Sequence, residues 1–331
     1  MSAAHQDDDE YRHGGDLPNS RVRGCAMSLD LDRDLLLRNA AFQRLEELSR
    51  TYSDLLPWSV LNQGFPFRGD QVRFLGPRGI FKPAQMDLPL SITTAPEKPG
   101  RPRPYDDELG PDGFLRYRYQ GTDPGSGDNK GLRECFVQGL PLIYFHGVAS
   151  GSYQALWPAF IHGDDPGSLT FVVAVDDPQL LDETLATSTV DGARRAYTTR
   201  LAVQRLHQTA FRHKVLAAYR TTCAICRLRN HPELLGAAHI LSDSRGGEPV
   251  VPNGLALCKI HHAAFDGNVV GIRPDLVVQV NDDVLAEIDG PMLRFGLQGM
   301  HHAKLIVPRS ASDRPDRHLL EERYEEFRQA S

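Results

Sequence analysis

The residues with the clearest chemical meaning lie in positions 223–266, CAICRLRNHPELLGAAHILSDSRGGEPVVPNGLALCKIHHAAFD. Cys223 and Cys226 form a C-x2-C pair, and after 31 residues Cys258 and His261 form a C-x2-H pair. Three thiols and an imidazole at that spacing are the ligand set of a four-coordinate structural zinc ion, Zn2+. Such a shell leaves no position open to water, so the expected metal holds the fold and does no chemistry. Binding it contributes on the order of 10 kcal/mol to folding. His239, Asn253 and His262 are threaded between and beside those ligands, with gaps of 14 and 9. A short helix is expected from His261 to Asp266, ended by Gly267. On it His262 and Asp266, four apart, share one face, and an imidazole and a carboxylate there can ligate one divalent ion. Asp266 reads equally as a C-terminal helix residue bonded to Gly267 and its neighbours.

The order His239, Asn253, His262, interlocked with the zinc pattern, resembles the signature of the HNH nucleases. Hydrolysis of a phosphodiester needs a base to activate water, a cation to neutralise developing charge, and groups that hold both. The resemblance implies a ββα-metal unit in which His239 is the general base, Asn253 orients the site, and His262, with Asp266, binds a catalytic Mg2+ or another divalent ion such as Mn2+, Co2+ or Ni2+. One position departs from the family pattern. Many HNH proteins carry Asp or His just before the first His, and this chain has Ala238. The site then binds metal with fewer protein ligands, recruits a carboxylate such as Asp243, or is weak.

A chain of 331 residues is long enough for two cores. Hydrophobic content of 40% and charged content of 24% are those of an ordinary globular protein. No run approaches the roughly 20 apolar residues of a membrane span, and the first twenty residues are acidic and polar, unlike a signal peptide. A cytoplasmic protein without a membrane partner is expected, and Cys25 and Cys135, which have no disulfide-like spacing, fit reduced thiols. The net charge of −6 argues against a nucleic-acid partner, but its distribution reverses that. Nine basic residues and no acid lie between Arg194 and Pro232, among them Arg200, Arg205, Arg212 and Lys214, the expected phosphate contacts to double-stranded DNA.

The elements that must position this chemistry follow from periodicity. Residues 1–34 read as a disordered acidic tail, with an opening helix over residues 35–56. From residue 57 to 177 short runs such as GIFKP, PLSITT, GFLRYRYQG, PLIYFHGV and SLTFVVAV, broken by Gly and Pro, predict a β-rich domain with a long loop at 95–112. Residues 186–222 read as a basic amphipathic linker helix, 223–308 as the nuclease domain with two or three further strands, and 309–331 as a C-terminal helix. The expected fold class is therefore α+β.

In residues 35–185 the stretches YDDELGPDGFLRYRYQGTDP, DNKGLRE and PLIYFHGVASGSYQALWPAFIHGD resemble the N-terminal half of bacterial HNH endonucleases that carry an SRA-like, PUA-type barrel domain. That resemblance implies type IV, modification-dependent restriction, in which a modified cytosine, 5-methyl or 5-hydroxymethyl, is extruded into an aromatic pocket. A flipped base needs flat faces and polar groups at its edge. Tyr105, Tyr117, Tyr119, Tyr144, Tyr153 and Trp157 offer faces, and Asp123 and Asp128 offer acceptors. The alternation of Tyr117 and Tyr119 reads equally as packing on one side of a strand. Two rival functions stay open: a modified-DNA-binding protein with an inactive HNH scaffold, and an HNH nuclease that reads sequence or shape. A homodimer is compatible with each.

Overall fold

The computed structural model describes residues 30–52, 55–96, 109–176 and 189–330. Tyr105, Cys25 and the tail before residue 30 lie outside the described residues. The opening helix α1, Leu31–Tyr52, begins four residues earlier than residue 35, so positions 31–34 are helical and not tail. The reason is local: Asp30 Oδ1 accepts the Arg33 N–H at 3.1 Å, which caps the first turn. The buried Arg38 then anchors the helix, donating to the Pro89 and Pro141 carbonyls, each at 2.7 Å.

After α1 come β1 (Leu56–Pro57), α2 (Trp58–Gln63), β2 (Phe65–Phe67), β3 (Asp70–Val72), β4 (Ile80–Phe81), β5 (Ser91–Thr94), β6 (Leu115–Arg118), α3 (Gly127–Val137), β7 (Leu142–Ala149), β8 (Ser152–Asp165) and β9 (Thr170–Val175). Seven of these strands form one sheet in the order β4-β5-β7-β8-β9-β6, with β1 paired to β8. β5 and β7 are parallel and the other pairs antiparallel. The strand β7 is buried along nearly its whole length because both of its faces are covered, and His146 is a polar residue within it. Tyr144 packs with α3 and Phe171, whereas Ile143 and Phe145 pack with α1 and Phe74. The helix α3 was not expected from a stretch that contains Gly127 and Gly131. It forms because Ser126 accepts the Asn129 N–H and because Leu132 and Cys135 are buried under the sheet.

The 30-residue helix α4 (Thr189–Ala218) follows, roughly 45 Å long at 1.5 Å per residue. Val203 and Leu206 belong to the core of the large sheet, and Phe211, Val215, Leu216 and Tyr219 to the core of the C-terminal unit. That unit comprises β10 (Leu235–His239), β11 (Gly254–Cys258), α5 (Lys259–Asp266), β12 (Val270–Ile272), β13 (Val278–Val280), α6 (Asp282–Ala286) and α7 (Arg317–Ala330). β10 pairs antiparallel with β11, and β12 with β13. The final helix buries Leu320 and Phe327, the latter so close over Gly271 that a Cβ there would lie 2.5 Å from its ring. The whole is a mixed α/β architecture, and no helix among the described residues is long and apolar enough to cross a membrane.

Candidate active site and metal centre

Cys223 and Cys226 sit in a turn just beyond α4, closed by Cys223 N–H to Leu228 O at 2.8 Å and Arg227 N–H to Cys223 O at 3.0 Å. Cys258 ends β11 and His261 lies in the first turn of α5. Their ligand atoms all lie within 4.8 Å of one another. Cys226 Sγ is 3.9 Å from Cys258 Sγ, and His261 Nδ1 is 3.1 Å from Cys258 Sγ and 3.8 Å from Cys223 Sγ. Sulfurs on a tetrahedral ion with metal–sulfur bonds of about 2.3 Å stand about 3.8 Å apart. His261 Nε2 is 2.8 Å from the Gly296 carbonyl, which can only accept, so Nε2 carries the proton and Nδ1 faces the sulfurs with its lone pair. Crowding pushes the thiols apart in acidity: hydrogen bonds from its neighbours hold Cys258 low, and the Cys223 sulfur pushes Cys226 up. Three closely packed sulfurs ionise together only around a cation, and this Cys3His cluster fits a metal ion.

The β10–β11 register sets Leu235 opposite Cys258 and His239 opposite Gly254, so His239 lies at the end of the hairpin away from Cys258. Its ring stacks on Phe211 of α4, with centroids 4.0 Å apart and planes 17° from parallel. Gly254 makes that approach possible: a Cβ there would lie 2.4 Å from Val215 Cγ2 and 2.9 Å from Phe211 Cζ. His239 Nε2 is buried, makes no hydrogen bond, and lies 3.7 Å from Asp243 Oδ1. Burial lowers the pKa of this imidazole; Asp243 and Asp266 oppose the shift and His262 adds to it. At neutral pH the ring is therefore uncharged and has a lone pair to accept a proton.

His262 Nε2 is 3.4 Å from Asp266 Oδ2, so the two side chains do share a face of α5. His262 Nδ1 lies 3.0 Å from where a Cβ on Gly236 would be, so this glycine of β10 leaves room for the ring. Asn253 is fully buried. Its Oδ1 accepts the Leu241 N–H, and its Nδ2 donates to the Leu241 and Glu248 carbonyls, each at 2.9 Å. Its amide is thus committed to closing the loop that carries Asp243, and Asn253 positions the site without reaching a reacting atom. Ala238 is buried opposite Leu255, so β10 offers no carboxylate at that place.

The expected base-pocket residues do not all converge. Tyr117 and Tyr119 line a recess of about 220 Å³ together with Thr93, Thr94, Gln120 and Tyr153. Tyr144 lies behind it, its hydroxyl 3.2 Å from Thr94 Oγ1 and 3.1 Å from His146 Nδ1. The Tyr119 hydroxyl is bonded to Asp164 and Arg133. Trp157 does not line this recess and packs instead against the core on the α1 side of the sheet. Asp123 does not line it either; its Oδ1 accepts the Gly125 N–H at 2.8 Å in the turn before α3.

The basic run also divides. Arg194 and Arg195 pair with Asp176 at 3.2 and 3.0 Å. Arg200 donates to Pro111 O at 3.3 Å, and Arg212 to the Pro232 and Leu235 carbonyls at 2.8 and 2.9 Å, which ties α4 to β10. Lys214 is half-buried, and Arg205 is exposed with no ion pair among the described residues. Sequence patterning did not single out Gly236 or Gly254, and it marks Phe211 only as part of the apolar repeat of α4, because their significance depends on how α4 and α5 cross the hairpin.

The ββα order, with a histidine at the end of the first strand and another on the helix, is that of the HNH fold. Residues 223–273 match the HNH endonuclease family. The protein therefore carries an HNH nuclease domain at this position. No curated protein matches the chain. Among solved structures it is similar to the modification-dependent restriction endonuclease TagI, at 17% identity and a TM-score of 0.27 over 72% of this chain and 81% of that one. It is also similar to the type IV phosphorothioation-dependent restriction endonuclease ScoMcrA, at 17% identity and a TM-score of 0.22 over 62% of this chain and 51% of that one. This chain thus spans about half of the second protein.

Proposed function

We propose that the protein is a modification-dependent DNA endonuclease, with its HNH domain as the cutting centre and the large sheet as the reader of a modified cytosine. The observation that carries the catalytic half is the His239 ring, stacked on Phe211 with a buried Nε2 that makes no hydrogen bond and a lowered pKa, inside the HNH-matched residues. In this reading His239 takes a proton from the attacking water and Asn253 fixes the loop beside it. His262 and Asp266 hold a divalent ion such as Mg2+, which supplies charge neutralisation on the scissile phosphate. The Cys3His cluster holds zinc, which keeps β11 and the start of α5 in place behind His262.

For the reader the supporting observation is the recess: Tyr153 lines it with the largely buried Tyr117 and Tyr119, and Thr93, Thr94 and Gln120 give polar edges of the kind an extruded base requires. This matches an SRA-like role for the sheet. Cleavage and gel-shift measurements on identical duplexes that are unmodified, 5-methylated, 5-hydroxymethylated or phosphorothioated test it, with Mg2+, Mn2+, Co2+ and Ni2+ each supplied. Cytosine-modified duplexes are expected to be bound and cut in preference. Equal cutting of all four duplexes would favour a reader of sequence or shape. Binding without cutting under any metal would favour the scaffold reading, which the buried Ala238 supports.

A further inference from the structure

A second recess, of about 250 Å³, lies where the large sheet meets α4, lined by Gln154, Arg205, Gln208, Thr209 and Arg212. Gln154 is the informative member. It comes from β8, is 6% exposed, and its Oε1 makes no hydrogen bond. A buried amide oxygen without a partner costs about 1–3 kcal/mol, and as an acceptor it is not completed by an anion in this orientation. Its two ends exchange by a half-turn of the amide, which lets it present N–H donors to an anion. The helix wall of the recess supplies the matching charge. Arg205 is exposed and holds no ion pair among the described residues, and the Arg212 guanidinium is oriented beside the recess by its bonds to Pro232 and Leu235.

A row of strand partners runs from one recess to the other. In the strand register Thr94 of β5 sits beside His146 of β7, and His146 sits opposite Gln154 of β8. The three side chains form one row of buried polar groups among apolar neighbours. Thr94 lines the tyrosine recess and Gln154 the arginine recess, so the row spans two strand spacings, about 10 Å. That is the scale of one nucleotide, from base to neighbouring phosphate.

We propose that the arginine recess seats a DNA backbone phosphate next to the nucleotide whose base enters the tyrosine recess, with Arg205 and Arg212 neutralising it and Gln154 donating from the sheet. The seat rests on the base-reading role proposed above. It places one phosphate against both the reader sheet and the helix whose far half backs His239, and so fixes the register between reading and cutting.

The test uses the full chain and modified duplexes in which single phosphates around the modified base are replaced, one at a time, by neutral methylphosphonates. At one position the wild type should lose about tenfold in affinity, whereas Arg205→Ala and Gln154→Met should bind that duplex no worse than the native one. Arg205→Ala should also lower the log–log salt slope by about 0.9, one phosphate contact. Retained modification preference, with Arg205→Ala equally weakened on every methylphosphonate duplex, would overturn the seat alone. Equal binding of modified and unmodified duplexes, with the Arg205 coupling intact at one phosphate, would overturn the base reading and keep the seat. Saturable occupation by millimolar inorganic phosphate without that coupling would assign the recess to a free anion and overturn the proposal. If Gln154→Met retains wild-type coupling, its amide is merely hydrated and the sheet takes no part.

Discussion

At the residue scale, the site depends on contacts that hold two imidazoles in place. His239 is kept uncharged by burial, with Phe211 fixing its plane. His239→Ala should reduce cleavage by roughly 10²–10⁴-fold while leaving DNA affinity unchanged, because it removes the proposed base but no phosphate contact. Undiminished cutting would remove the assignment. The sign of the pH effect follows from the lowered pKa. The unprotonated ring is the active form, so kcat/KM at saturating metal should stay flat through neutrality and fall below about pH 6.5, the ordinary histidine value. A midpoint above that value would contradict burial as the controlling influence.

His262 depends on the absence of a side chain across from it. Gly236→Ala would place a Cβ 3.0 Å from Nδ1, so the ring must shift by a few tenths of an ångström. The backbone of an antiparallel strand accepts alanine, so the fold should survive with a stability change within about 1 kcal/mol. Divalent-metal affinity and cleavage should each fall several-fold, since small displacements at a reacting centre are costly. A metal titration alongside a thermal melt checks this; a large drop in Tm with normal metal affinity would make Gly236 a packing residue only.

At the scale of elements, the Cys3His cluster pins the turn after α4 to the start of α5. Cys258→Ala should abolish zinc stoichiometry and unfold β10, β11 and α5 together, because these short elements share the core around Leu235, Leu257 and Phe265. Elemental analysis and near-ultraviolet circular dichroism would show it, and a zinc-free wild type with an ordered hairpin would refute it. The ligand positions were legible in the sequence since C-x2-C and C-x2-H spacings follow from local chain geometry. α3 was not, because Gly127 and Gly131 mask a helix whose stability comes from Leu132 and Cys135 buried under a distant sheet. The start of α1 was misplaced for a different, local reason: the cap at Asp30 lies before the apolar repeat.

At the scale of the molecule, α4 belongs to both cores, and a reader cut away before it loses part of its own interior. Thr199 Oγ1 accepts the Val175 N–H at 2.8 Å, and Val203 and Leu206 are buried against the sheet. A fragment ending near residue 190 should therefore be less stable than one ending near residue 208 by roughly 3–6 kcal/mol, the value of two buried aliphatic side chains. Urea midpoints measure the difference, and equal midpoints would show that the helix only borders the sheet.

Sequence by itself determined the chemistry: which thiols and imidazoles can share a metal, which histidines flank them, and where charge accumulates on a helix. Those properties depend on residue type and near-neighbour spacing, which the chain carries locally. Only the tertiary structure decided that Asn253 spends its amide on a loop, that Arg212 is tied to β10, that Trp157 faces the wrong core, and that Thr94, His146 and Gln154 form one row. The row arises where β7 pairs in parallel with β5 and antiparallel with β8. Such a juxtaposition comes from strand order across sixty residues, as the partner positions 94, 146 and 154 show, and no local periodicity records it.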